Sequence, residues 1–258
     1  GDPVRTVFLV VGLLLMTARP GGADIGILVM EPVQALGFFT RVGHAGVYLS
    51  NICPDASPVK MRLCRAGERG GVVSKYSPLG EYEDYDWAIV PFDVFMHGVE
   101  SPDLAPLIAT RTLQRAVEQH QFGPTFSSAL TLDHGGAPPD GQWKAAIAAR
   151  FDRTIYLFSV STTVADDTVI VDAFNAAPNK ARFNFFYQNC SNQAKALFDL
   201  VLPRTMGDRT SGATMETPKG LAKALVDHAA VHPELHLRAY RFAQIPGTLV
   251  AIRSSTLT

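Results

Sequence analysis

Polar and apolar positions alternate in several short runs of the first third of the chain, the two-residue period of half-buried strands. In "HAGVYLS" Ala45, Val47 and Leu49 fall on one side, predicted to face a core, and His44, Gly46, Tyr48 and Ser50 on the other. "VKMRLC" and "GGVVSKY" are two further predicted strands, with "AGERGG" as the turn between them. "DYDWAIVPF" is another, after the acidic loop "GEYEDYD", and "DIGILVMEP" reads as a short strand or a helix start. Together these runs predict a small antiparallel sheet.

The period then lengthens. "SPDLAPLIATRTLQRAVEQHQ" is predicted to be helical, with Ser101 as N-cap and Pro102 at the first position. "QWKAAIAARFDR" is a second predicted helix, and "TIYLFSVS" a strand. "TTVADDTVIVDAFNAAPN" is a third helix, with Val169, Ile170, Ala173 and Phe174 at apolar spacing. A fourth opens at Cys190, continues through Ala194, Leu197 and Val201, and is stopped by Pro203. "TPKGLAKALVDHAAVHPE" is predicted to start at Thr217 and Pro218, and "YRFAQIPGTLVAIR" returns to extended chain. No linker divides these elements, so they predict one α+β domain with a helical insertion.

The N-terminal pattern differs. Arg5 precedes thirteen uncharged, mostly apolar residues from Thr6 to Ala18, and small residues follow to Ala23. That is the layout of a secretory signal peptide, and the apolar run is shorter than the roughly 20 residues of a membrane span. The expected division is a signal peptide over 1–23 and a single domain over 24–258, with no later membrane span. The expected location is the bacterial periplasm or the extracellular space.

Composition adds mainly exclusions. The 258 residues are 47% hydrophobic and 18% charged, with a net charge of −1, so nothing marks a nucleic-acid partner. There are three cysteines, Cys53, Cys64 and Cys190. In an oxidising compartment Cys53 and Cys64 can bridge across "PDASPVKMRL", if geometry allows, leaving Cys190 as a free thiol.

A cysteine at the first turn of a helix meets unpaired N–H groups and the positive end of the dipole, which favour the thiolate. An imidazole beside it can take the proton and be held as a cation in a resting ion pair. His44 is the candidate base, and Gly46, two residues on and on the same face, is expected to leave room for a helix end to come close. Glu68, in the turn "AGERGG", is the candidate third group to orient the ring, with Tyr48, Asn51 and Arg62 behind it. An acyl oxyanion needs donors, and the Cys190 N–H is the natural first. Gln188, Asn189 or Tyr187 would supply a second. Each residue also has a plainer reading: Cys190 as a core thiol, His44 as a structural histidine, Glu68 as a solvated charge.

"GHAGVYL" followed much later by "NCSN" at a helix start resembles the circularly permuted papain-like thiol enzymes. That group includes the YiiX-like proteins, the lecithin retinol acyltransferase family and relatives of the NlpC-type cell-wall peptidases. "YQNCSN" also resembles a segment of the exported domain of some bacterial lipoprotein N-acyltransferases. The resemblance implies a small antiparallel sheet packed against a Cys-bearing helix. It assigns Cys190 as nucleophile, His44 as base and Glu68 as the third member. It implies an exported cysteine hydrolase or acyltransferase working on an amide or ester through a thioester. The substrate would be a cell-envelope peptide, lipid or lipoprotein. The alternative is a catalytically inactive papain-like binding module of the envelope.

Other constellations are weaker. His228, His232 and His236 recur every four residues, but Pro233 breaks their helix and no further ligand follows, so no metal is expected. Asp133 and His134 lack a serine in a nucleophile elbow. Neither a phosphate-binding loop nor a dinucleotide glycine pattern is present, and no cofactor is expected.

Overall fold

The computed structural model describes residues 22–32, 43–76, 78–180, 189–205 and 217–249. Residues 1–21 of the expected leader, and Tyr187 and Gln188, lie outside them. The fold is mixed α+β. Eight strands are described: β1 (Gly22–Met30), β2 (His44–Leu49), β3 (Ile52–Pro54), β4 (Met61–Leu63), β5 (Gly71–Ser74), β6 (Ala88–Pro91), β7 (Ile155–Thr163) and β8 (Arg238–Phe242). The helices are α1 (Phe92–His97), α2 (Arg111–Gln121), α3 (Val164–Ala176), α4 (Cys190–Val201) and α5 (Pro218–Val231). Gly22 and Ala23, assigned above to the leader, open β1.

The sheet is larger than expected. Six strands run in the order β6-β5-β2-β1-β7-β8, each antiparallel to its neighbour, so strands from both halves of the chain share one sheet. β3 and β4 form a separate hairpin.

Both faces of the sheet are covered, which changes the meaning of the alternation in β2. Val47 and Leu49 join Ile25, Ile27 and Val160 in a core closed by Ile170 of α3, Leu197 and Phe198 of α4, and Leu221 of α5. The opposite face, which carries Leu28, Met30, Val72 and Leu157, is closed by Phe95, Phe126, Trp143 and Phe151 from the segment between β6 and β7. Leu197 and Phe198 are fully buried, and each contributes about 1.5–3 kcal/mol by leaving water. Those two side chains fix α4 against β2.

Several expected helices changed form. Ser101 caps only a short 3-10 turn, Pro102–Leu104, and α2 begins later at Thr110, whose hydroxyl accepts from the Leu113 N–H. Pro106 accounts for the break, because it lacks an N–H and pushes its predecessor out of helical conformation. "QWKAAIAARF" forms two 3-10 turns joined through Ala148 at φ 52°. Trp143, Ala146, Ile147, Ala148, Ala149 and Phe151 are all buried there, so core packing overrides helix propensity. In α3, Ile170 and Phe174 turn inward as their spacing predicts, together with Asp167, while Val169 is exposed.

Cys53 and Cys64 are disulfide-bonded across the β3–β4 hairpin, with Cα atoms 5.0 Å apart and a sequence separation of 11. Closing a loop of that length is worth about 3 kcal/mol through the unfolded chain. Replacing both cysteines with serine is expected to lower the unfolding free energy by roughly that amount in urea titration. An unchanged midpoint would show that the hairpin holds without its bridge.

Candidate functional site

α4 starts where the sequence places it. Asn189 is the N-cap; its side-chain oxygen accepts from the Asn192 N–H at 2.9 Å, and the Asn192 side chain accepts from the Asn189 N–H at 3.3 Å. The two asparagines of "NCSN" therefore form a reciprocal cap. The Asn189 side-chain oxygen is committed to that cap, which leaves its role as a second oxyanion donor unassigned. Cys190 occupies the first helical position, where backbone N–H groups lack intrahelical acceptors.

The Cys190 thiol is buried against the first peptide of β2. The Ala45 N–H donates toward the sulfur, as do the Cys190 and Ser191 N–H groups. The Ser191 hydroxyl lies close by, buried and with no geometrically sound hydrogen bond of its own. The N–H donors favour the thiolate. Burial outweighs them and pushes the thiol pKa up.

Ala45 follows His44 directly, so the sulfur meets the backbone one residue from the expected base, although His44 shares the strand parity of Gly46 and not that of Val47 and Leu49, on which α4 packs. Two glycines shape this strand. Gly43 has φ 75°, and a Cβ there would sit 2.2 Å from the Met30 carbonyl oxygen, so only glycine fits immediately before His44. Gly46 was expected to make room for a helix end. Instead its missing Cβ makes room for Ser74 Oγ, at 2.8 Å, and Val72 Cγ1, at 3.1 Å, on the neighbouring strand. The reason is the face: α4 packs on the Val47–Leu49 side, and Gly46 points to the other.

His44 pairs with Met30 across β1. On its other side its ring stacks on Tyr76, with centroids 4.4 Å apart and planes 21° apart. The Tyr76 hydroxyl donates to the Ala145 carbonyl at 3.1 Å, which fixes the platform. Nε2 of His44 is buried and has no hydrogen-bond partner. Burial first, and the Arg153 charge second, lower the His44 pKa to about 3. Burial thus disfavours the expected resting ion pair and favours a neutral thiol and a neutral imidazole, although both residues keep part of their surface exposed.

Glu68 does not reach this site. Its carboxylate takes two bonds from the Arg62 guanidinium, each 2.7 Å, which hold its pKa down at about 2. It precedes Gly71, which pairs with Leu49 at the far end of β2, five residues or roughly 16 Å along the strand from His44. The turn simply leads into the wrong end of β5. Arg62 is held there too. Tyr48 donates to the Arg69 carbonyl at 3.4 Å and Asn51 to Asp167 at 3.0 Å, so neither touches the His44 ring. Among the described residues no carboxylate bonds to His44, and the stacked ring of Tyr76 is what orients it.

Sequence reasoning missed Tyr76 and Arg153. The first was within reach: Gly46 pairs with Ser74, so the same register carried two residues outward sets Tyr76 opposite His44. Arg153 had no local signal, because it arrives from a turn before β7.

The remaining candidates are structural. His228 stacks on His232, which pairs with Glu234, and Asp133 closes a turn by accepting from Gly135 and Ala137. Among the described residues the group nearest to a metal site is Cys53, Cys64 and Glu68, but the two sulfurs are bonded to each other.

A groove of about 450 Å³ opens at the Met30 end of β1, between the sheet and α5. Pro32, Phe158 and Val226 give it an apolar lining, and Lys219 and Lys223 stand along it.

No protein-family model matches the chain, and no curated protein matches it. Among solved structures, a type VI secretion system effector, TseH, aligns at 14% identity with a TM-score of 0.34, over 79% of this chain and 88% of that one. A likeness at that level carries no argument about this chain.

The lowered histidines predict acid sensitivity. A histidine with a folded pKa below its unfolded 6.5 contributes full stability above 6.5 and loses it as pH falls toward the folded value, about 3 for His44 and about 4 for His97. Between pH 6.5 and about 4, the wild type is expected to lose about 1.4 kcal/mol more per pH unit than His44→Gln. Urea midpoints measured across that range test this, and parallel curves for the two proteins would contradict it.

Proposed function

We propose that the protein is an exported thiol enzyme of papain-like type that cleaves or transfers an acyl group, with Cys190 as nucleophile and His44 as base. The observation that carries this reading is the pairing of a capped helix start with an orphaned imidazole. The Cys190 sulfur rests on the peptide that joins His44 to Ala45, and His44 keeps a buried Nε2 with nothing bonded to it.

The neutral pair defines the chemistry. As sulfur attacks the carbonyl carbon, its proton passes to His44, so charge separates only along the reaction path. The tetrahedral oxyanion collapses to a thioester, and the imidazolium returns the proton to the departing amine or alcohol. Water then attacks the thioester in hydrolysis, or an acceptor amine in transfer. The Cys190 N–H, unpaired within the helix, is a natural donor to the oxyanion.

The Cys53–Cys64 bridge supports an oxidising compartment, in line with the N-terminal leader pattern. Among the described residues, no helix is long and apolar enough to cross a membrane. A second reading has one observation in its favour. The raised pKa of the half-buried Cys190 fits an inactive papain-like module that binds an envelope partner.

An activated ester separates the two. Incubation with p-nitrophenyl acetate is expected to leave an acetyl group on Cys190, seen by peptide mass spectrometry. His44→Ala is expected to slow that acylation by at least about 100-fold, the scale of lost general-base catalysis. Cys190→Ser should leave no thioester. A folded wild type that never acquires the acetyl group would establish the binding reading instead.

A further inference from the structure

One end of the sheet gathers more than a thiol and an imidazole. Met30 stands between His44 on β2 and Ile155 on β7 in the strand register. Arg153 lies two residues before Ile155, at the same end. Ile155 and Leu157 point into the core that also holds Tyr76, so Arg153 has the parity of the face on which His44 and Tyr76 stack. Its charge acts on both of those rings.

Arg153 is half-buried, and one of its donors is unsatisfied. Its Nε is buried and has no hydrogen-bond partner, and no ion pair to it is found among the described residues. The carboxylates at this end are engaged elsewhere: Asp152 accepts from Gln114 at 3.0 Å, and Glu31 accepts from Tyr156 at 3.3 Å. Buried guanidinium N–H groups without acceptors are costly, and native structures rarely leave them so without a use. Arginine presents a planar fork that suits a carboxylate in two parallel bonds.

We propose that Arg153 is a specificity residue that receives a carboxylate on the substrate, close to the acyl carbon attacked by Cys190. This rests on the thiol-enzyme reading above and narrows it, since the substrate then carries a carboxylate next to its scissile acyl bond. A carboxylate paired there also offsets the positive charge that opposes protonation of His44. Binding the correct substrate would thereby make the base more willing to take the thiol proton.

Two alkylating reagents of near-equal size test this with no knowledge of the natural substrate. Iodoacetate carries a carboxylate and iodoacetamide does not. The ratio of their rates at Cys190 is normalised to the same ratio for free N-acetylcysteine. The wild type is expected to favour iodoacetate on the order of tenfold after that correction, a preference set by one nearby positive charge. Arg153→Gln is expected to abolish the preference while iodoacetamide still reacts. Arg153→Lys, which keeps the charge, is expected to retain part of it and serves if the glutamine variant folds poorly. The proposal is overturned if wild type and Arg153→Gln give the same ratio, or if Lys219→Gln removes the preference and Arg153→Gln does not. If neither reagent nor the activated ester modifies Cys190 in the folded protein, the thiol-enzyme reading itself fails, and this inference with it.

Discussion

The contact between the N-terminus of α4 and the first peptide of β2 governs the rest of the arrangement. It brings a sulfur from late in the chain to the backbone of Ala45, the residue that follows His44. Burial of Leu197 and Phe198 against Val47 and Leu49 holds the helix on that strand. The Asn189–Asn192 cap fixes where the helix starts, and hence which residue meets the peptide. A shift of one residue in that start would turn the thiol away by roughly 100°, given 3.6 residues per turn.

Burial then decides the charge state. Donors from Ala45, Cys190 and Ser191 favour a thiolate, and the helix end adds to them, yet desolvation is the larger influence on sulfur. The same is true of His44, where loss of water exceeds the effect of Arg153. Burial thus favours the neutral form of both groups. Tyr76 takes the orienting role that a carboxylate was expected to fill, by stacking rather than by hydrogen bonding. That choice is consistent with the neutral imidazole, because a carboxylate would favour the cation.

Much of this was legible in the residues. The β2 alternation, the α4 start and its Ala194–Leu197 stripe, and the pairing of Cys53 with Cys64 all rest on local chemistry. What failed were matters of direction and of distant partners. Glu68 was placed near His44 because its turn leads into a neighbouring strand, but an antiparallel register carries it to the opposite end. Gly46 was read as space for a helix, and two-sided burial of the sheet gave that space to Ser74 and Val72. The "QWKAAIAARF" segment has helix-forming residues, but nearly all of them are absorbed by the core. Arg153 carries no local signature, since only the β1–β7 register brings it to this end.

The central claim is that the Cys190 thiol and the His44 imidazole form one neutral, interacting pair. The most direct test is the ¹⁵N NMR spectrum of the His44 ring, followed through an acid titration before and after alkylation of Cys190. The account predicts a ring that stays neutral far below the ordinary histidine range, and an Nε2 resonance that moves when the sulfur is capped. A ring that titrates as a free histidine does, and takes no notice of the modified sulfur, would contradict it.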